Sequence, residues 1–145
     1  IVNDRFDLAL SVGADGVHLG VDDLPIAVVR NKVSRPFIIG ATIHSEKEFS
    51  QILFDEVDYI GVGPCFATST KPNLTVGGVP LVKQILSHNK TIAFAIGGIS
   101  YENIADLKAA GIQQIAICSA IISSIDPAKS YLQILEAIKV SNKGH

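Results

Sequence analysis

The chain has no excess of basic charge, only two cysteines and no long apolar run, and each shortage removes a class of function. Lys and Arg number 12 against 14 Asp and Glu, for a net charge of −2. No basic field would hold DNA or RNA, so nucleic acid is not an expected partner. Cys65 and Cys118 supply neither a disulfide framework nor metal-type spacing. A reducing cytoplasm is the expected location. No apolar run approaches the roughly 18 to 20 residues of a spanning helix, and the first residues, IVNDRFDLAL, lack the charged head and cleavage site of a signal peptide. Neither membrane insertion nor export is expected. No Ser-His-Asp or Cys-His constellation appears either. What remains, at 145 residues with 48% hydrophobic and 18% charged, is the composition of one globular domain over 1–145.

The pattern within it is an alternation of short β-type runs with amphipathic helical ones. Strands are predicted at GVHLG (16–20), FIIGAT (37–42), DYIGVG (58–63), IAFAIGG (92–98) and QIAICS (114–119), with a sixth at the start where IV runs into NDR. SEKEFSQILFDE places Phe49, Ile52 and Leu53 on one helical face and opens with Ser45 three residues before Glu48, a capping box. DPAKSYLQILEAIKV puts Asp126 at an N-cap, Pro127 at the first helical position and Tyr131, Leu132, Leu135 and Ile138 on a buried side. PLVKQILSH and YENIADLKAAG also read as helices. Strands apolar on both faces and joined by helices imply a parallel sheet. A doubly wound sheet would carry one glycine-rich turn after its first strand, whereas here glycines and hydroxyls recur at nearly every strand exit. That favours a (β/α)8 TIM barrel, whose βα-loops gather at one face. Six strands leave the count two short, so the first two βα units are expected before Ile1. Open sheet edges would make the segment alone weakly stable or self-associating, and a homo-oligomer is left open.

The segments VNDRFDLAL, GADGVHLGVDDLP, GATIHS, DYIGVGPCFATSTKP, AIGGIS and CSAI, in this order, resemble the thiamine-phosphate synthase family over practically the whole chain. The combination of ND, DDLP and TSTK separates that family from the related thiazole tautomerases. The resemblance implies a Mg2+-dependent transferase that joins hydroxymethylpyrimidine diphosphate to thiazole phosphate, giving thiamine phosphate and pyrophosphate. It matches the chain to the third strand onward of the family's barrel.

Each motif carries two readings. Asp4, Asp22 and Asp23 could hold a hard cation or cap the helices that follow; the resemblance makes Asp4 and Asp23 the Mg2+ ligands and Asn3 a diphosphate contact. Thr68, Ser69, Thr70 and Lys71 offer hydroxyls and a point charge suited to phosphate, against a solvated loop before Pro72. By resemblance the three hydroxyl residues meet the thiazole phosphate, and Lys71 meets the departing diphosphate. Lys71, Asp23 and Asp4 are then the expected catalytic residues. Gly98, Cys118 and Ser119 match further thiazole phosphate positions, where helix N-terminal amides can hold phosphate. Close helix–strand packing at Gly97 and Gly98, an N-cap at Ser119 and a small apolar role for Cys118 are the plainer readings. No job falls to Cys65.

Within a strand, His18 reads as a satisfied core histidine. Thr42 stands where the family usually has a serine that contacts the pyrimidine diphosphate, and it keeps the hydroxyl. His44 corresponds to a proton-transfer residue of the tautomerases, which keeps that activity, beside a non-catalytic phosphate-binding module, as an alternative. Val21 departs from a usual glutamine, and the family's Gln-x-Arg-x-Lys element has no counterpart.

Overall fold

A short strand followed by a helix repeats along the computed structural model, which describes residues 1–67 and 76–139. The elements run β1 (Val2–Asn3), α1 (Phe6–Ser11), β2 (Gly16–Leu19), α2 (Ile26–Arg30), β3 (Ile38–Ile43), α3 (Glu46–Gln51), β4 (Tyr59–Val62), α4 (Gly78–His88), β5 (Ile92–Ile96), α5 (Ile104–Ala109), β6 (Ile115–Ala116), α6 (Ser119–Ile122) and α7 (Pro127–Lys139). The six strands form one sheet in chain order, β1 to β6. Registers are parallel, with Asn3 opposite His18, His18 opposite Gly40, Gly40 opposite Tyr59 and Ala95 opposite Ile115. The order never reverses, so the described strands hold no switch point of the doubly wound kind. Among the described residues no helix is long and apolar enough to cross a membrane.

The chain divides into two compact units, Ile1–Val62 with Ile85–Phe94, and Gly63–Gln84 with Ala95–His145. In the first, Phe6 and Ala9 of α1 and Val29 of α2 pack with Val17, Leu19 and Ile39, all buried. Period-2 alternation puts Val17, Leu19, Ile39, Ala41 and Ile43 on that helix-covered face. Gly16, His18, Gly40, Thr42 and Tyr59 fall by the same alternation on the other. Asp58 ties the unit together just before β4. Its carboxylate accepts from the Ile39 N–H at 2.8 Å and from Arg30 Nη2 at 2.6 Å, and it also pairs with Arg35. Arg30 in turn donates to the Phe37 and Glu56 carbonyls. In the second unit α5 ends in a Schellman motif, with Ile112 N–H on the Leu107 carbonyl and Gly111 N–H on that of Lys108. The Lys108 ammonium donates to the Ala137 and Ile138 carbonyls, the exposed end of the α7 dipole.

All six predicted strands are present, within one to three residues at their ends, whereas the helices depart further from expectation. α3 stops at Gln51, leaving Ile52 outside and Leu53 62% exposed. Ser45 does accept from Glu48 N–H at 3.2 Å, but the Glu48 carboxylate reaches the His44 N–H at 2.7 Å, one residue earlier than a capping box requires. On α7, Asp126 caps the Lys129 N–H as expected, yet the buried residue is Ile134 while Tyr131 and Leu132 are exposed. α7 packs against α5 and α6, and Tyr131 and Leu132 lie outside the buried part of that contact.

Burial pushes the Asp58 carboxyl up, but the Ile39 amide, Arg30 and Arg35 outweigh it and hold the group below the ordinary aspartate range. A depressed native value contributes stability that is full above the unfolded value of about 3.9 and lost as pH falls through the lower native one. Asp58→Asn is expected to cost about 2–3 kcal/mol at pH 7, most of it from Arg30 left half-buried without its partner. Urea denaturation at pH 7 and pH 3 checks both points, the variant's deficit shrinking at the lower pH.

Candidate active site

The strand exits of the first unit carry the acids. β1 ends at Asn3, and the next residue, Asp4, has φ +63°, alone among the described non-glycine residues in being positive. Arg5 N–H donates to the Asn3 carbonyl at 2.7 Å, closing a three-residue γ-turn around Asp4, whose own N–H donates to the His18 carbonyl at 2.8 Å. A γ-turn with positive φ is the rare, strained form. Strain of this kind costs on the order of 1–3 kcal/mol and gathers at functional positions. The helix-cap reading of Asp4 fails, because the N-cap of α1 is Arg5 and no side chain caps it.

Asp23 is held differently. It lies in the turn after β2, where its N–H donates to the Gly20 carbonyl at 3.2 Å and its Oδ2 accepts from the Gly20 N–H at 2.6 Å. The N-cap of α2 is Pro25, again without a side-chain cap. Neither Asp22 nor Asp23 therefore caps that helix. Asp23 is half-buried and Asp22 exposed. Asp4 and Asp23 thus follow the C-terminal ends of two neighbouring parallel strands. Among the described residues no group of three or more His, Cys, Asp or Glu could hold a metal ion. A pair of carboxylates completed by substrate phosphates is the donor set that Mg2+ takes, so these two residues fit that ion.

One layer inward, the polar residues of β2, β3 and β4 touch. His18 Nε2 lies 2.7 Å from Thr42 Oγ1 and Nδ1 2.9 Å from the Tyr59 hydroxyl, with the two rings stacked at 5.4 Å. Gly40 makes this possible, since a Cβ there would stand 2.1 Å from Tyr59 Cζ. Burial raises the Tyr59 pKa. His18 is thus satisfied, as expected, but it is part-buried and not a core residue, and its partners are Tyr59 and Thr42, a candidate substrate contact. Tyr59 was not expected at the site. The available signal was a polar residue at the same strand parity in three successive strands. His44 is engaged elsewhere, its Nδ1 3.2 Å from Glu48 Oε2.

In the second unit Gly97 and Gly98 both have positive φ, and a Cβ on Gly98 would meet the Phe66 and Ala67 carbonyls at 2.5 and 2.6 Å. The close contacts of this pair are with residues 64–67 after β4 and not with a helix, so the expected helix–strand packing is corrected to packing between two strand exits. The helix after them begins only at Ile104, because the Asn103 side chain bridges the Gly98 carbonyl and the Ser100 N–H and closes a turn first. Helical amides therefore do not start at Gly98. Ser119 is the first residue of α6, and the N-cap is Cys118, which is exposed. The Ser119 cap and the small apolar role for Cys118 are corrected accordingly. Cys65 is the buried cysteine, its thiol pushed up to about 11 by burial. Thr68, Ser69, Thr70 and Lys71 lie outside the described residues.

A family model described as thiamine monophosphate synthase matches residues 1–121. The thiamine-phosphate synthase of a Synechococcus species is 44% identical over 138 residues, 95% of this chain and 39% of the relative. That of Chloroflexus aurantiacus is 40% identical over 144 residues, 99% of this chain and 66% of the relative. The chain therefore spans 39% to 66% of the length of these relatives. Among solved structures, a thiamine phosphate pyrophosphorylase from Pyrococcus furiosus aligns with TM-score 0.84 at 33% identity, over 96% of this chain and 66% of that one. A 3-hexulose-6-phosphate synthase from Salmonella typhimurium aligns with TM-score 0.69 at 15% identity, over 92% and 65%, a likeness of fold alone.

The turn at Asp4 yields a test of strain apart from chemistry. Asp4→Gly and Asp4→Ala both lose the carboxylate, but only glycine accepts φ +63° without steric cost. The glycine variant should be more stable than the alanine variant by about 1 kcal/mol in chemical denaturation.

Proposed function

Because the chain belongs to the thiamine monophosphate synthase family, we propose that it couples hydroxymethylpyrimidine diphosphate to thiazole phosphate, giving thiamine phosphate and pyrophosphate. The observation that carries this reading is the pair of acids at neighbouring strand exits, neither spent on a helix cap, with the Thr42 hydroxyl on the adjacent strand. The matching residues on this chain are assigned as the family pattern suggests. Asn3, Thr42 and Lys71 contact the pyrimidine diphosphate, and Thr68, Ser69, Thr70, Gly98, Cys118 and Ser119 contact the thiazole phosphate. Asp4 and Asp23 would hold Mg2+, whose charge offsets that of pyrophosphate as it departs.

The step is a dissociative substitution. The 4-amino group of the pyrimidine pushes electrons toward the exocyclic methylene as the bond from that carbon to the diphosphate oxygen breaks. The thiazole nitrogen then donates its lone pair to the methylene cation. The chain's own residues position the two substrates and donate to the leaving oxygens, Thr42 through its hydroxyl and Lys71 as a point charge. No protein nucleophile takes part. His44, with its ring against Glu48, has no place in this step. The finer reading of the fold is a (β/α)8 barrel to which this chain contributes the third strand onward. The unreversed strand order and the alignment over 66% of the Pyrococcus enzyme support it.

Asp4→Ala and Asp23→Ala are each expected to lower Mg2+-dependent pyrophosphate release at least about 100-fold, the scale on which loss of a key electrostatic group acts. Asp22→Ala should stay within about 3-fold of the unmutated protein, a change of under 1 kcal/mol. A pyrophosphate-release assay with both substrates at limiting Mg2+ checks this. Equal rates in all three variants would remove the metal assignment.

A further inference from the structure

Three strands of the first unit each turn one polar side chain to the same sheet face, and the three are linked in a line. Tyr59 on β4 meets Nδ1 of His18 on β2 at 2.9 Å, and Nε2 of the same ring meets Thr42 Oγ1 on β3 at 2.7 Å. Both ring nitrogens have a partner, so which of them carries a hydrogen sets the direction of the whole line. If Nδ1 carries the proton, it donates to the phenol oxygen, and the Thr42 hydroxyl must donate to Nε2. Thr42 then offers only lone pairs outward. With the proton on Nε2, the phenol donates to Nδ1, Nε2 donates to Oγ1, and the Thr42 O–H is left to point away from His18.

Two facts select the second arrangement. A phenol is the strongest proton donor of the three groups and a weak acceptor, because its oxygen shares electron density with the ring. Burial of Tyr59 keeps it protonated, its pKa displaced upward. The Nε2–H form is also the one that an isolated histidine side chain prefers in water. We infer that Tyr59 and His18 are positioning residues that fix the Thr42 hydroxyl as a donor, so that β3 presents O–H rather than lone pairs to the diphosphate of the pyrimidine substrate. The inference rests on the assignment of Thr42 to that diphosphate. Its chemical sense is that ionised phosphoryl oxygens only accept, and a hydroxyl turned the other way would repel them. Gly40 belongs to the device because its lack of a side chain lets the Tyr59 ring cross β3 to reach His18.

The test has two arms, both on the purified full chain. First, long-range proton–nitrogen NMR of His18 without ligand reads the tautomer directly. An Nε2–H imidazole is expected, and an Nδ1–H form overturns the inference whatever the variants do. Second, binding of inorganic pyrophosphate with Mg2+ is compared in Tyr59→Phe, Thr42→Val and the double variant. The phenylalanine ring keeps the contact with Phe94 and removes only the hydroxyl. Loss of one such hydrogen bond predicts roughly 3- to 10-fold weaker binding for Tyr59→Phe. That loss should vanish when Thr42→Val is already present, since Tyr59 acts through the threonine hydroxyl. An equal loss in both backgrounds makes Tyr59 a packing residue and overturns the relay while leaving Thr42 at the site. Unchanged binding in Thr42→Val instead removes the Thr42 contact itself, and the inference falls with that assignment.

Discussion

Between His18 on β2 and Tyr59 on β4 stands a single residue of β3, and it is Gly40. Any side chain there would overlap the phenol ring, so the stacking of the two rings, and with it the hydrogen bond between His18 and Tyr59, depends on one missing Cβ. The register makes this a row, His18 opposite Gly40 and Gly40 opposite Tyr59. Register in turn depends on the other face, where Val17, Leu19, Ile39, Ala41 and Ile43 are buried. A one-residue slip would turn all of them outward. Burial of about 1.5–3 kcal/mol per large apolar side chain holds the polar row in place. The hydrophobic face therefore does the positioning for the polar one.

The two candidate metal ligands sit in different turns. Asp23 is held through its backbone N–H and one carboxylate oxygen, both bonded to Gly20. Asp4 occupies a left-handed turn that a β-carbon opposes. A residue kept in such a conformation is retained against local preference, and the surrounding hydrogen bonds at Asn3 and His18 over-determine it. The metal-ligand role proposed for Asp4 would account for that cost, and a helix cap would not, since Asp4 makes none.

Strands were legible in the sequence because burial on both faces leaves short runs of Ile, Val and Phe with glycine at their ends, a local signal. Their parallel order followed from the helices between them. Helix faces were less legible. Tyr131 and Leu132 share the helical spacing of Leu135 and Ile138, but which stripe of α7 is covered depends on α5 and α6, and periodicity says nothing of neighbours. The same limit hid Tyr59. Its residue type fits any half-buried strand, and only the register that brings it level with Gly40 and His18 gives it a partner. Asp4 and Asp23 could be singled out by motif, yet the choice between cap and ligand needed the positions at which α1 and α2 start. Ser119 failed for a related reason, a one-residue shift in where α6 begins.

The central claim is that the exits of β1 and β2 hold a divalent cation together with diphosphate. Mn2+ in place of Mg2+ tests it by paramagnetic broadening of backbone amide resonances, recorded with and without inorganic pyrophosphate. The account predicts broadening centred on Asp4, Gly20 and Asp23, reached at lower Mn2+ when pyrophosphate is present. Broadening spread over exposed acids such as Asp7, Glu46 and Glu102, and indifferent to pyrophosphate, would contradict it.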